Sequence, residues 1–520
     1  MTAVAARVSG GRGARSLLFA AAFACAACGL VYELALVTLG SYLVGNTIHQ
    51  TSVVISVLVF SMGIGSLAAK RLRRWPVAAF AVIEAALALT GGLSVLGLYA
   101  AFAWLDLHQP ALVAASVVIG VLIGAEIPVL VSLVHRIRAD HPSDIAAEVF
   151  AADYVGGLVG GLAFPFLLLP VFGQIRGAIV VGAVNVAAAG VVGWACGRSL
   201  PRRQRQAGAA LLVSVLVVLA AAAALASRFE VTARQALYED PIVTAERSPY
   251  QEIVLTESRP FAGESDVRLF LNGDLQFSSV DEYRYHEALV HPALAGERRR
   301  VLILGGGDGL ALREVLRYPD VARVTLVELD PAVLRLAREN PHLTRLNEGA
   351  LADPRVDVVT ADAFTWLRSE PGRYDAVIVD FPDPEDTATA RLYSVEFYGL
   401  LGGSVLEPDG RVVLQAGSPY FAPEAFWGIE ATVRAAGLAT RPYHVDIPSF
   451  GDWGFVMAGA GRAPPLTVDP PAGKGLRFID GAVLHAAAVF PPDRPPLALA
   501  PSTLDRPRIL DYERKGWRAY

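Results

Sequence analysis

Seven apolar runs crowd the first half of this chain, at about 16–39, 51–69, 77–104, 110–134, 150–172, 176–197 and 208–227. Each approaches the ~20 residues that a helix needs to cross a hydrocarbon core. Backbone N–H and C=O groups in lipid must be paired within their own segment, so runs of this length predict helices. The first run is too long, and too soon followed by others, to read as a cleaved leader. Mean hydropathy is +0.43 and 18% of residues are charged, too apolar for a wholly soluble chain. From 228 onward the composition becomes an ordinary soluble mixture. The expected organisation is a transmembrane helical bundle over 1–227 followed by a soluble half.

Small residues at four-residue spacing, as at Gly156, Gly160 and Gly161, predict close helix packing. Basic residues cluster in alternate loops. Arg7, Arg12 and Arg15 precede the first run; Lys70, Arg71, Arg73 and Arg74 follow the second. Arg136 and Arg138 follow the fourth; Arg198, Arg202, Arg203 and Arg205 follow the sixth. The positive-inside rule places all four groups in the cytoplasm. A seventh crossing then puts everything after 228 on the other side.

Four acids fall within the runs: Glu33, Glu84, Glu126 and Asp153. Acids in lipid are costly and point to function by default, the plainer reading being hydrogen bonds between helices. Cys25, Cys28 and Cys196 all lie in apolar segments. Cys25 and Cys28 form a C-x-x-C with no second ligand pair, so small buried residues are expected rather than a metal or redox site. The net charge of -5, without a Lys/Arg run interleaved with aromatics, predicts no nucleic-acid partner.

The soluble half opens with short strands at Ile242–Ala245, Gln251–Thr256 and Val267–Leu271, and a tight turn at Asn272-Gly273. An alternating α/β pattern begins at 301. Strands are expected near 301–305, 324–329, 356–361, 374–380 and 410–416, with helices at 331–340, 392–401 and 423–437. This predicts a Rossmann-like, class I methyltransferase-type doubly wound domain with a parallel sheet. The expected divisions are 238–292 for a small β domain, 293–460 for the α/β domain and 461–520 for a Pro-rich extension, read as a lid or packing segment.

The glycine loop, with Gly305 and Gly307, follows the first of these strands and lets the backbone approach a nucleoside closely. Alone it fits a dinucleotide or an adenosyl sulfonium equally. The acids narrow the choice. Asp308 lies in the loop, Glu328 ends strand two, Asp362 ends strand three before Ala363, and Asp380 ends strand four with Asp383 just beyond. Any one could be a helix cap. Four in series along one crevice suit a cation and disfavour phosphates.

These residues carry a family resemblance. SPYQEIVLTE (248–257), LFLNGDLQFSSVDEYRYHEALVHP (269–292), LILGGGDGLALRE (302–314), LVELD (326–330), VVTADAF (358–364), YDAVIVDFPDP (374–384) and LYSVEFY (392–398) stand in the order of the spermidine synthase, or polyamine aminopropyltransferase, family. The apolar half resembles its membrane-attached branch.

The resemblance implies aminopropyl transfer from decarboxylated S-adenosylmethionine to a diamine such as putrescine. Spermidine and methylthioadenosine would be the products, with no metal and no permanently bound cofactor. It implies that Gln251 and Glu328 hold the nucleoside, along with the glycine loop, and that Asp362 and Ala363 bracket the adenine. Asp308 and His286 would meet the amine end of the ligands. Tyr285 and Asp380 would orient and deprotonate the attacking amine, and Asp383 would take the far ammonium. The chain departs from the family at Asn272, at Leu310 and at Phe381-Pro382, the last of which touches the amine pocket.

Two other functions compete. One is an S-adenosylmethionine-dependent methyltransferase, which Asp380-x-x-Asp383 and Tyr285-His286-Glu287 argue against. The other is a membrane polyamine sensor or transporter without turnover. The expected partners are the diamine, the sulfonium nucleoside and the lipid bilayer, with self-association left open. The expected location is a cell membrane, multi-pass. The donor's cytoplasmic origin favours a cytoplasmic catalytic domain, against the count of crossings.

Overall fold

The structure, a computed structural model, describes residues 12–44, 47–105, 107–137, 142–197, 200–258, 265–369, 372–473 and 475–517. Of the basic loop residues named above, Arg7, Arg138 and Arg198 lie outside these. The chain divides into two compact units, Met1–Glu239 and Asp240–Tyr520.

The first unit is helical. Its long helices are α1 (Arg12–Val44), α2 (Thr47–Ala68), α3 (Pro76–Ala100), α4 (His108–Ile137), α5 (Pro142–Ala163), α6 (Leu169–Cys196) and α7 (Arg202–Gln235). Among the described residues, six stretches are long and apolar enough to cross a membrane, the fifth being Ala146–Cys196, of 51 residues. At ~1.5 Å per residue that stretch is far longer than one crossing requires. It is broken at Gly173, whose φ of 70° and ψ of -179° no helix contains, so it accounts for two of the seven expected runs.

Helices α1 and α5 meet backbone to backbone. A Cβ at Gly156 would lie 2.2 Å from the carbonyl oxygen of Phe23, and one at Gly160 would lie 2.3 Å from that of Ala27. Gly161 instead faces the side chain of Leu30. The same device joins α2 to α4, where a Cβ at Gly124 would meet the Met62 carbonyl oxygen at 2.0 Å. Large apolar side chains cover much of the outer surface, among them Phe60 (71% exposed), Phe166 (78%) and Val217 (62%).

The second unit begins with an antiparallel sheet in the order β1 (Ile242–Arg247), β2 (Glu252–Ser258), β3 (Asp266–Leu271) and β4 (Asp274–Ser278). The β3–β4 turn has Asn272 at φ 54° and Gly273 at φ 101°, the left-handed pair that a two-residue hairpin requires. Helix α8 (Glu282–Val290) follows.

The α/β part then runs β5 (Arg300–Gly305), α9 (Leu310–Leu316), β6 (Arg323–Glu328), α10 (Pro331–Glu339), β7 (Val356–Thr360), β8 (Tyr374–Asp380), β9 (Leu406–Gln415), β10 (Leu438–Ile447) and β11 (Gly451–Ala460). These strands form one sheet ordered β10-β11-β9-β8-β5-β6-β7. Strand β5 shows why the central runs are continuously apolar. Val301 and Ile303 pack into one core cluster, and Leu302 and Leu304 into the cluster on the opposite face.

The expectation of a parallel sheet needs correction. Strands β5 to β9 pair in parallel, but β11 is antiparallel to both β9 and β10. A short turn joins β10 to β11, and so brief a connection can only reverse the chain. The sequence hides this hairpin because β10 carries Pro442, which is tolerated on an edge strand, and β11 carries three glycines.

The Pro-rich extension packs against the α/β core. Its backbone N–H groups at Arg477, Phe478 and Ile479 donate to the Glu287 carboxylate on α8 at 2.7, 2.8 and 3.0 Å. Ile479, Leu484, Ile509 and Leu510 are buried.

Candidate active site

The carboxyl ends of β5 and β8 lie side by side, with Gly305 opposite Asp380. The approach is close enough to exclude a side chain: a Cβ at Gly305 would lie 2.1 Å from the Asp380 carbonyl oxygen, and φ there is 84°. The Gly306 N–H donates to that same oxygen at 3.2 Å. The glycine loop is thereby fastened to the strand that delivers Asp380. Asp308 comes within electrostatic range of both Asp380 and Glu328.

Helix α8 supplies the facing wall. Tyr285 is buried and its hydroxyl donates to Asp380 Oδ1 at 2.7 Å. His286, also buried, has Nδ1 2.8 Å from Glu282 Oε2 and 2.8 Å from the Glu282 carbonyl oxygen, one turn earlier. Arg313 grips the same carboxylate through two nitrogens, at 2.9 and 3.0 Å. Burial opposes a charge on His286, yet the hydrogen bond and charge of Glu282, with Asp308 and Asp380 beyond, raise its pKa. A histidine held towards its cationic form is a poor base and a good counter-charge.

Burial is the first cause of the raised pKa values of the acids. It pushes Asp380 up to about 6, the charge of Asp308 adding to it while His286 and the Tyr285 hydroxyl pull the other way. It likewise brings Asp383 to about 6, opposed by a hydrogen bond from Gln415. Glu328 is raised to about 7, again by burial, while the Asp330 N–H restrains it by donating to Oε1 at 2.9 Å. Asp308 is raised for the same reason, with His286 opposing. Gly307 abuts Glu328 directly, since a Cβ there would lie 2.7 Å from the Glu328 side chain.

Gln251, from the start of the small sheet, donates through Nε2 to Asp330 Oδ2 at 3.0 Å, and Ser248 Oγ donates to the same oxygen at 2.6 Å. This links the β2 segment to the Glu328 strand end. Asp362 is engaged differently. Its Oδ1 accepts from the N–H and hydroxyl of Thr365 at 2.9 and 2.7 Å, capping the helix Ala363–Leu367, and its Oδ2 pairs with Arg391. The structure thus gathers Asp308, Glu328, Asp380, Asp383, Tyr285 and His286 around the β5 and β8 ends, while Asp362 serves as a cap with Ala363 buried behind it.

Sequence reasoning missed several contributors. Gln415 ends β9 as the acids end their strands, and its amide nitrogen donates to the Phe381 carbonyl oxygen at 2.7 Å and to Asp383 Oδ1 at 3.0 Å. That position alone could have flagged it. The Tyr393 hydroxyl donates to the Pro382 carbonyl oxygen at 2.9 Å. The Phe381 side chain is buried in the core near Phe397. The departure from a small polar pair therefore changes the core at that position, and Pro382 remains exposed beside it.

At the rim, Asp274 from the β3–β4 hairpin shares a hydrogen bond with Glu385. Both keep some solvent exposure. Partial burial, then the charge of Asp383, raises the pKa of Asp274. Partial burial, then the charges of Asp274 and Asp383, raises that of Glu385. So dense a group of carboxylates attracts cations and repels phosphates.

Residues 282–469 match the family described as "Spermine/spermidine synthase domain". Polyamine aminopropyltransferase 1 of Streptomyces coelicolor is 60% identical, over 98% of this chain and 96% of its own. The polyamine aminopropyltransferase of Mycobacterium tuberculosis is 49% identical, over 97% of both. The crystal structure of spermidine synthase from Thermotoga maritima aligns with 48% of this chain and 84% of its own, at 29% identity and a TM-score of 0.43.

Proposed function

Given that this chain belongs to the polyamine aminopropyltransferase family, we propose that it moves an aminopropyl group from decarboxylated S-adenosylmethionine to putrescine. The observation that carries this reading is the hydrogen bond from buried Tyr285 to half-buried Asp380, flanked by Asp383 at hydrogen-bonding distance from Gln415.

The attacking nitrogen must be a free amine, because an ammonium has no lone pair. Asp380, with a pKa near 6, is largely ionised at neutral pH yet basic enough to accept that proton. The nitrogen attacks the methylene carbon bonded to the sulfonium. The C–N bond forms, the C–S bond breaks with its electron pair going to sulfur, and neutral methylthioadenosine leaves. The sulfonium is already a good leaving group, so positioning supplies much of the remaining acceleration.

In this reading Tyr285 aims Asp380, and Asp383 holds the distant ammonium of the diamine. Asp308 and His286 border the amine ends. Glu328 and Gln251 hold the ribose side of the donor beside Gly305 and Gly307. Asp362, already bound to Arg391, presents the backbone at Ala363 to the adenine more readily than its carboxylate. The test is turnover by purified full-length protein with both sulfonium donors and a panel of diamines. Methylthioadenosine release with putrescine supports the reading; S-adenosylhomocysteine release from S-adenosylmethionine overturns it.

The helical unit is read as membrane-embedded. Its exposed Phe60, Phe166 and Val217 would be poorly placed in water, and the apolar stretches are long enough to cross. The donor's chemistry favours a catalytic unit facing the cytoplasm. Reporter fusions after residues 206 and 235 test this, and an external reporter at 235 overturns it.

A further inference from the structure

The helical unit contains a polar pocket that the aminopropyl transfer does not use. Cys25 on α1, Glu84 on α3 and Glu126 on α4 are 2%, 0% and 3% exposed. One ligand atom from each lies within 4.8 Å of the other two. Among the described residues, neither oxygen of Glu84 has a hydrogen-bond partner of good geometry. The Cys25 thiol, a weak donor, stands beside it.

The surroundings are polar as well. Tyr32, fully buried on α1, lies in electrostatic range of Cys25, Cys28 and Glu84. It accepts a 3.4 Å hydrogen bond from Asn185 Nδ2 on α6, while Asn185 Oδ1, also buried, has no partner among the described residues. Half-buried Asp153 on α5 acts electrostatically on Glu126. Five helices thus direct polar groups into one interior region. Hydrogen bonding between helices, the plain explanation for an acid in such a place, is reduced for Glu84 to the weak Cys25 thiol among the described residues.

We propose that Cys25, Glu84 and Glu126 form a binding site for one divalent transition-metal ion of the zinc class. Charge and donor type carry the choice. An ionised carboxylate left unpaired in such a place is costly, and two in one pocket repel each other as well. A dipositive ion neutralises both within the same small volume. A sulfur donor beside two carboxylates favours a borderline ion over magnesium or calcium, which prefer all-oxygen cages. Donors around a tetrahedral zinc are about 3.5 Å apart, and these ligand atoms already lie within 4.8 Å of one another. Three protein ligands leave a fourth position for water. A linear diamine fits less well, because its two ammonium groups are separated by a methylene chain and these acids converge on a single point.

Cobalt(II) titration of untagged full-length protein in detergent, after chelator treatment, tests the site. One equivalent should bind per chain, with a near-ultraviolet thiolate-to-cobalt charge-transfer band. Cys25→Ser should abolish that band, Cys28→Ser should leave it, and Glu84→Gln should weaken binding at least tenfold. Absence of stoichiometric binding by the wild-type protein overturns the proposal, and so does a band that survives Cys25→Ser. Protection of Cys25 from alkylation by spermidine but not by zinc would assign the pocket to an organic cation and likewise overturn it. None of these readouts depends on aminopropyl transfer.

Discussion

The hydroxyl of Tyr285 donates to Oδ1 of Asp380 at 2.7 Å, joining a buried phenol to a half-buried carboxylate 95 positions away in the chain. One comes from a helix preceding the α/β sheet and the other from the end of that sheet's fourth strand. Their meeting gives the carboxylate a fixed direction, and the predictions below start from it.

Asp380→Asn should lower turnover by about a hundred- to ten-thousand-fold, the usual range for loss of a positioned base. Donor affinity should stay within a few-fold, because the nucleoside contacts proposed above lie towards Glu328. Methylthioadenosine release measured beside calorimetric donor binding checks both halves. A near-normal rate would remove Asp380 from the base role.

Activity should fall on the acid side with an apparent pKa near 6, the value to which burial raises Asp380. The Tyr285 hydrogen bond lowers the Asp380 value, so Tyr285→Phe should move this limb to higher pH. Loss of a hydrogen bond to a charged group corresponds to roughly ten- to a hundredfold in rate. A full pH profile of kcat decides it; an unmoved acid limb contradicts the assignment.

Glu328→Gln should have two effects of opposite sign. Nucleoside affinity should drop by about tenfold, the scale of one hydrogen bond between charged and neutral groups. The free protein should gain stability with pH. A carboxyl raised to about 7 by burial stabilises the fold below its unfolded value and loses that contribution as pH rises through 7. Glutamine does not titrate, so the melting temperature of the variant relative to wild type should climb between pH 5 and pH 8.5. A flat difference across that range would show that Glu328 is not strained at neutral pH.

Gln415→Leu should raise KM for the diamine by roughly tenfold with a smaller change for the donor. Its amide opposes the rise of Asp383 and also fixes the Phe381 carbonyl. Removing it should leave Asp383 protonated over a wider range, so the diamine KM should improve again as pH rises from 6 to 8. Equal effects on both substrates would point to general loss of structure.

Much of the catalytic unit was legible because its signals are local. Val301–Leu304 ends in glycines, and Glu328 and Asp380 end apolar runs of the right length. Asn272-Gly273 specified its hairpin for the same reason. The missed parts depend on tertiary company. Nothing near Gln415 reveals that it meets Asp383, and nothing in the C-x-x-C of Cys25 and Cys28 reveals that Glu84 and Glu126 arrive from other helices. Asp362 shows the converse: a strand-end acid that looked equivalent to its neighbours is occupied by Thr365 and Arg391.

The three N–H groups that converge on Glu287 come from residues almost 200 positions downstream. Glu287 follows His286 on the helix that carries Tyr285. The segment Arg477–Ile479 therefore splints the helix that carries Tyr285. A truncation before Arg477 would be read in the angle at which a phenol meets a carboxylate, in a chain whose every nominal active-site residue is still present.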